Sequence, residues 1–204
     1  MKTGKFAAVI LAAGYSRRMG RFKPLLTLGN ETITDRLMTG FLENGVEVYL
    51  VTGYRQQELR DGITTRNIHF VENPDYERGM FSSVQAGLEI LRDGFQAAFI
   101  APVDIPLVRP ETIRALITAA QTHPDSLLYP VYKGTRGHPP LVPAGLFPAI
   151  LAWRGDGGLR DVLRQYRDMA VEVGVQDSDI LFDIDVPADY EKLVRRYERN
   201  VNPK

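Results

Sequence analysis

Phe6-Ala7-Ala8-Val9-Ile10-Leu11-Ala12-Ala13-Gly14 is a run of eight apolar residues with no polar break, ending in a glycine. A strand with one wet face alternates, so an unbroken apolar run that stops at a turn signal reads as a parallel strand covered on both sides. Lys2 and Lys5 ahead of it imitate the charged start of a secretory signal. Cleavage near Ala13 would discard that strand just before a dense basic segment, so the strand reading is preferred. Outward from it the pattern repeats. Ile33, Leu37 and Phe41, with Met38 and Leu42, form a helical stripe that stops at Asn44-Gly45. Residues 46–51 read as a second strand, 54–60 as a short helix and 67–71 as a third strand. Residues 81–92 carry Val84, Leu88 and Leu91 at helical spacing before Gly94; 97–103 is a fourth strand, and 110–121 a helix with proline in its first turn. Strands alternating with helices predict an α/β domain, a mostly parallel sheet between two layers of helices.

The rhythm breaks after residues 126–131, themselves strand-like, where Gly134, Gly137, Pro139, Pro140, Pro143 and Gly145 crowd together. Residues 126–158 are expected to form a loop-rich β insertion, a ribbon on the substrate side of a single domain spanning 1–204. A helix over 159–167, late strands over 171–175 and 180–184 and a closing helix over 188–199 complete the reading. Trp153 reads as packing, and Arg195, Arg196 and Arg199 as a solvated helix face.

Composition excludes much. The 204 residues hold 25 Lys+Arg and 25 Asp+Glu, so no global positive excess exists from which to build a nucleic-acid face. With no cysteine, thiolate nucleophiles, disulfides and cysteine-ligated metals are out, and a reducing, cytoplasmic location is expected. No apolar run approaches the ~20 residues of a membrane span. Phosphate-loop, G-x-G-x-x-G, G-x-S-x-G and H-E-x-x-H patterns are absent, and His69, His123 and His138 form no local metal motif.

Chemistry is concentrated after the first strand. Small residues at Ala12, Ala13 and Gly14 let a ligand approach the backbone. Arg17, Arg18, Arg21 and Lys23 then put four cations within seven residues. At the C-terminal edge of a parallel sheet they would clamp nucleotide phosphates; taken alone, such a run is a solvated loop. Asp104 follows the fourth strand, and Asp183 and Asp185 flank Ile184 on an expected strand end, pointing to one face. Two carboxylates from separate strands suit Mg²⁺, which takes one or two of them together with phosphate oxygens and waters. Individually, Asp104 also reads as a turn residue and Asp185 as a helix cap.

The segment Leu11-Ala-Ala-Gly14-Tyr-Ser16-Arg-Arg18-Met-Gly20-Arg-Phe-Lys23-Pro-Leu-Leu26 resembles the L-A-A-G-x-S-x-R-M-G-x-x-K-x-L-L signature of the molybdenum cofactor cytidylyltransferase family, Rossmann-like nucleotidyltransferases. Similar motifs follow in the family's order: Gly79-Met80-Phe-Ser82-Ser83, Pro102-Val-Asp104-Ile-Pro106, Arg136-Gly-His138-Pro139, Gly155-Asp156-Gly-Gly158 and Asp183-Ile-Asp185-Val-Pro-Ala-Asp189. Val186 and Ala188 stand where Thr and Glu are usual. The resemblance implies transfer of CMP from CTP to the terminal phosphate of molybdopterin cofactor, with pyrophosphate released. It implies Mg²⁺ on Asp104 and Asp185, with Asp183 as the less certain partner, and Arg18, Lys23 and Asp104 as catalytic. The nucleotide would contact Leu11, Ala12, Ala13, Gly14, Ser82 and Ser83, although one of those serines also reads as a helix cap. Gly79, Met80, Arg136, His138, Gly155 and Asp156 would bind the acceptor. Guanylyl-transferring relatives carry L-A-G-G, so Ala13 points to CTP. Two other readings stand beside this one: transfer to a sugar or polyol phosphate, and a non-catalytic carrier or chaperone that hands the cofactor to a molybdoenzyme client.

Overall fold

The computed structural model describes residues 5–91 and 94–201; Lys2 and Arg92 lie outside them. β1 (Phe6–Leu11) is central, and its pleat divides its side chains between two cores. Ala8 and Ile10 face one core, while Ala7, Val9 and Leu11 face the other. After the basic loop come β2 (Thr27–Leu28) and β3 (Glu31–Thr32), a small separate hairpin, and then α1 (Ile33–Leu42). The Thr32 hydroxyl caps α1 by accepting the Asp35 N–H. Next follow β4 (Glu47–Thr52), α2 (Gln56–Gly62), β5 (Ile68–Glu72), α3 (Met80–Ile90), β6 (Ala97–Pro102) and α4 (Pro110–Thr122). β6, β1, β4 and β5 are neighbours in that order, all parallel.

The glycine- and proline-crowded stretch contributes more to the sheet than its composition suggests. β7 (Leu127–Tyr132) and β9 (Leu141–Pro143) both lie in the main sheet, while β8 (Thr135–Arg136) forms a short ribbon on β7. β9 runs antiparallel between β6 and β7, so β7 keeps the direction of β6. α5 (Phe147–Ala152) and α6 (Gly158–Gln165) follow, then β10 (Ala170–Gly174), parallel to β7 at the sheet edge, and α7 (Pro187–Val201). The eight strands are ordered β10-β7-β9-β6-β1-β4-β5, with β8 off the path. α1, α4 and α7 pack on one face through Phe41, Leu116 and Leu193; α3, α5 and α6 pack on the other through Leu88, Ile150 and Val162. Gly87 lets α3 lie directly on the sheet, because a Cβ there would run into Val9 Cγ1. This is the three-layer, mostly parallel architecture expected.

One expected strand is absent. Residues 180–184 do not pair in the sheet; a 3₁₀ turn over Ser178–Leu181 leads into an irregular segment. Its backbone groups find single partners elsewhere: Ile180 C=O accepts the His138 N–H, and Ile184 N–H donates to Asp104 C=O at 3.0 Å. Ile180 and Ile184 are fully buried, which accounts for the apolar pattern without a ladder.

Candidate active site

The ends of β1 and β6 line one cleft, and β4 braces the first of them. Leu11 C=O accepts the Val103 N–H (3.3 Å), Ala12 N–H donates to Val51 C=O (3.0 Å), and Ala13 C=O accepts the Tyr54 N–H (3.1 Å). The end of β1 is thus tied to the chain leaving β6 on one side and β4 on the other. Among the described residues no hydrogen bond reaches the N–H of Ala13 or Gly14, and both residues line the cleft, whose volume is about 370 Å³.

The basic loop is built rather than merely solvated. Ser16 adopts φ 56° and its hydroxyl accepts the Lys23 N–H at 3.0 Å, closing the loop on itself. Met19 and Phe22 are buried and anchor it. Its cations take different stations. Arg17 lies 4.4 Å above the Tyr15 ring, and Arg21 leans 5.7 Å from Tyr190. Arg18, largely exposed, reaches Asp185 Oδ2 at 3.0 Å. Lys23, with only 11% of its side chain exposed, sets Nζ 3.3 Å from Asp185 Oδ1 and 3.7 Å from Asp104 Oδ2. Asp104 sits at the end of β6, as expected; Asp185 is brought to it by the Ile184–Asp104 backbone bond instead of by strand pairing.

Burial pushes the Asp104 carboxyl above its ordinary pKa; Lys23 opposes this, and Asp185 and Asp183 add to it. Asp183, exposed, stands at the margin of the Asp104–Asp185 pair. No group of three or more His, Asp or Glu among the described residues forms a ready cation cage. The donor set still suits Mg²⁺: two carboxylates already share one cation, and phosphate oxygens and waters complete such a shell.

Gly79, Met80 and Ser83 line the same cleft. Gly79, at φ 100°, is the N-cap of α3, so neither serine fills that position. Ser82 braces the preceding loop instead, donating toward Asp75 C=O or Gly79 C=O while its Oγ accepts from buried Asn73 Nδ2, which also reaches Ser83 Oγ at 2.9 Å. Ser82 lines a second cavity of about 580 Å³ together with Gly155, Asp156, Trp153 and Arg78. His138 stands near Asp183, which raises its pKa, but desolvation by surrounding protein lowers it more. Arg136 is not brought to the cleft; its Nε donates to Glu172 Oε1 at 2.7 Å and its guanidinium stacks on Tyr129.

Comparison with known proteins decides the family. The MobA-like NTP transferase domain matches residues 8–170. The chain belongs to this family. It is a nucleotidyltransferase. Among curated members of this kind, the molybdenum cofactor cytidylyltransferase of Escherichia coli K12 is 30% identical over 190 residues, covering 93% of this chain and 95% of that protein. Nicotine blue oxidoreductase of Paenarthrobacter nicotinovorans is 29% identical, covering 91% and 95%. The fold is shared with a nucleotidyl transferase from Methanothermobacter thermautotroptrophicus, with a TM-score of 0.82, 23% identity and coverage of 96% and 99%. No helix among the described residues is long and apolar enough to cross a membrane.

Sequence reasoning missed Tyr15, Asn73, Tyr76 and Glu77. Tyr15, Tyr76 and Glu77 line the cleft, and Asn73 braces it from within. Asn73-Pro74 was a visible turn signal; nothing local marked the other three.

Proposed function

We propose that this nucleotidyltransferase moves CMP from CTP to the terminal phosphate of molybdopterin cofactor. A phosphate oxygen of the acceptor attacks the α-phosphorus in line, the bond to the β-phosphate oxygen breaks, and pyrophosphate leaves. The observation that carries the reading is Lys23 Nζ shared by Asp104 and Asp185, with Arg18 on the latter, where β1 and β6 end. Lys23 and Arg18 are the cations for the triphosphate and for the charge that builds on the leaving pyrophosphate. Asp104 and Asp185 would hold Mg²⁺, with Asp183 as the alternative partner. When bound, that ion supplies charge neutralisation to the phosphoryl oxygens. A phosphate monoester has its second pKa near 6, so the nucleophile is already mostly dianionic at pH 7 and no general base is required.

The cytidylyl donor is supported by Ala13 and by the E. coli relative's name; the acceptor is supported by that name and by the Gly155–Asp156 loop beside the second cavity. A second reading, transfer to another phosphorylated acceptor, gains from Arg136, whose pairing with Glu172 takes one supposed acceptor contact away from the cleft. The experiment is pyrophosphate release from each of the four NTPs with Mg²⁺, with molybdopterin cofactor present or absent. Release with CTP that depends on the cofactor supports the proposal. Preference for GTP overturns the donor, and release with a sugar or polyol phosphate but not the cofactor overturns the acceptor.

A further inference from the structure

We propose that Glu77, held in place by Tyr15, selects the nucleotide base by accepting a hydrogen bond from its exocyclic amine, so that the cleft admits CTP and refuses UTP. This rests on the cytidylyl reading and names the residue that enforces it. Tyr15 Oη donates to Glu77 Oε1 at 2.8 Å across 62 residues of sequence. That bond is the main reason the tyrosine pKa is pushed up to about 12. Neither partner is free to wander. The Tyr15 ring is packed against Tyr54 and Tyr76, with centroids 4.9 and 5.5 Å away, and Arg17 covers it. Tyr76, one residue before Glu77, lies so close over Gly53 that a Cβ there would stand 2.6 Å from it.

Glu77 lines the cleft, and among the described residues its second oxygen, Oε2, has no partner. A carboxylate with one oxygen tied and the other open to a nucleotide cleft only accepts. The 4-amino group of cytosine matches it, whereas the 4-carbonyl of uracil would set lone pairs against it. The position also fits. Lys23, Asp104 and Asp185 gather on the β6 side of the β1 terminus, while Tyr54, Tyr76 and Glu77 follow β4 and β5 on the other side. A triphosphate on the first group directs its base toward the second. Adenine and guanine also carry amines, so exclusion of purines falls to space beside Ala13 rather than to Glu77.

The test is titration calorimetry of CTP, UTP, ATP and GTP, with Mg²⁺, on the wild type, Glu77→Gln and Tyr15→Phe. The wild type is expected to bind CTP at least ~10-fold more tightly than UTP, and Glu77→Gln to bring that ratio within about threefold, because the amide can turn a donor toward the uracil carbonyl. Tyr15→Phe leaves the carboxylate but loosens it, so the ratio should narrow only partly, which a purely structural role for the tyrosine would not produce. Glu77 is exposed, and unchanged melting of its variant is expected. The proposal is overturned by a CTP:UTP ratio that Glu77→Gln leaves unchanged, by a wild type that binds both equally, or by a variant that loses GTP binding alone. A wild type that prefers GTP to CTP removes the cytidylyl reading itself, which separates the two failures.

Discussion

Lys23 sets one ammonium between two carboxylates, so its loss is felt by both. Without it Asp104 and Asp185 face each other with Asp183 near, and the cleft loses its least exposed cation. Lys23→Ala is expected to lower kcat/KM by about 10²–10³-fold, the usual size for removing one preorganised electrostatic stabiliser. Steady-state kinetics beside a melting curve check it: intact kinetics with a lower Tm would return the loop to a purely structural part. At this scale the legible residues were those whose type and neighbours announce them, cations after a glycine turn and aspartates after apolar runs. Tyr15 and Glu77 were not legible, because their meaning arises from a contact across 62 residues that no local pattern encodes.

Among the elements, α3 shows how one absent side chain positions a site. Gly87 seats the helix on Val9 and Val51, and the same helix begins with Met80 and carries Ser83 into the cleft. Gly87→Ala overfills this contact and is expected to cost about 1–3 kcal/mol. Nucleotide affinity should fall with it, because α3 must lift. Urea midpoints and CTP titration measure the two effects, and a stable variant with unaltered affinity would contradict the argument. The βα alternation was readable because each strand and helix carries its own period. β9 was not, since a three-residue strand that itself ends in a proline is too short to show one. The segment around Ile184 misled for a related reason: an apolar alternation reports burial, and burial here comes from packing under α7 rather than from a ladder.

For the molecule as a whole, pH enters through Asp35. Buried at the start of α1, it accepts from Thr64 N–H, Thr65 N–H and the Thr65 hydroxyl on one oxygen and from the Thr32 hydroxyl on the other, fastening the loop after α2 to the sheet's helical layer. Burial alone would raise its pKa, but these bonds together bring it below the ordinary value. Its contribution is therefore full above the unfolded carboxylate pKa of about 3.9 and lost as pH falls below that through the lower folded value. Asp35→Ala is expected to cost about 1.5–3 kcal/mol at pH 7. The gap to wild type, read from urea midpoints, should shrink toward pH 3, and a gap independent of pH would refute the assignment. A final consequence follows from the 162 residues that separate Lys23 from Asp185. A ribosome adding about 5–20 residues per second makes the lysine some 10–30 s before its second carboxylate emerges. During that interval the growing chain presents Arg17, Arg18, Arg21 and Lys23 with half of their opposing charge unmade. Until residue 185 is made, Arg18 therefore lacks the carboxylate it pairs with in the finished fold, and Lys23 lacks one of its two.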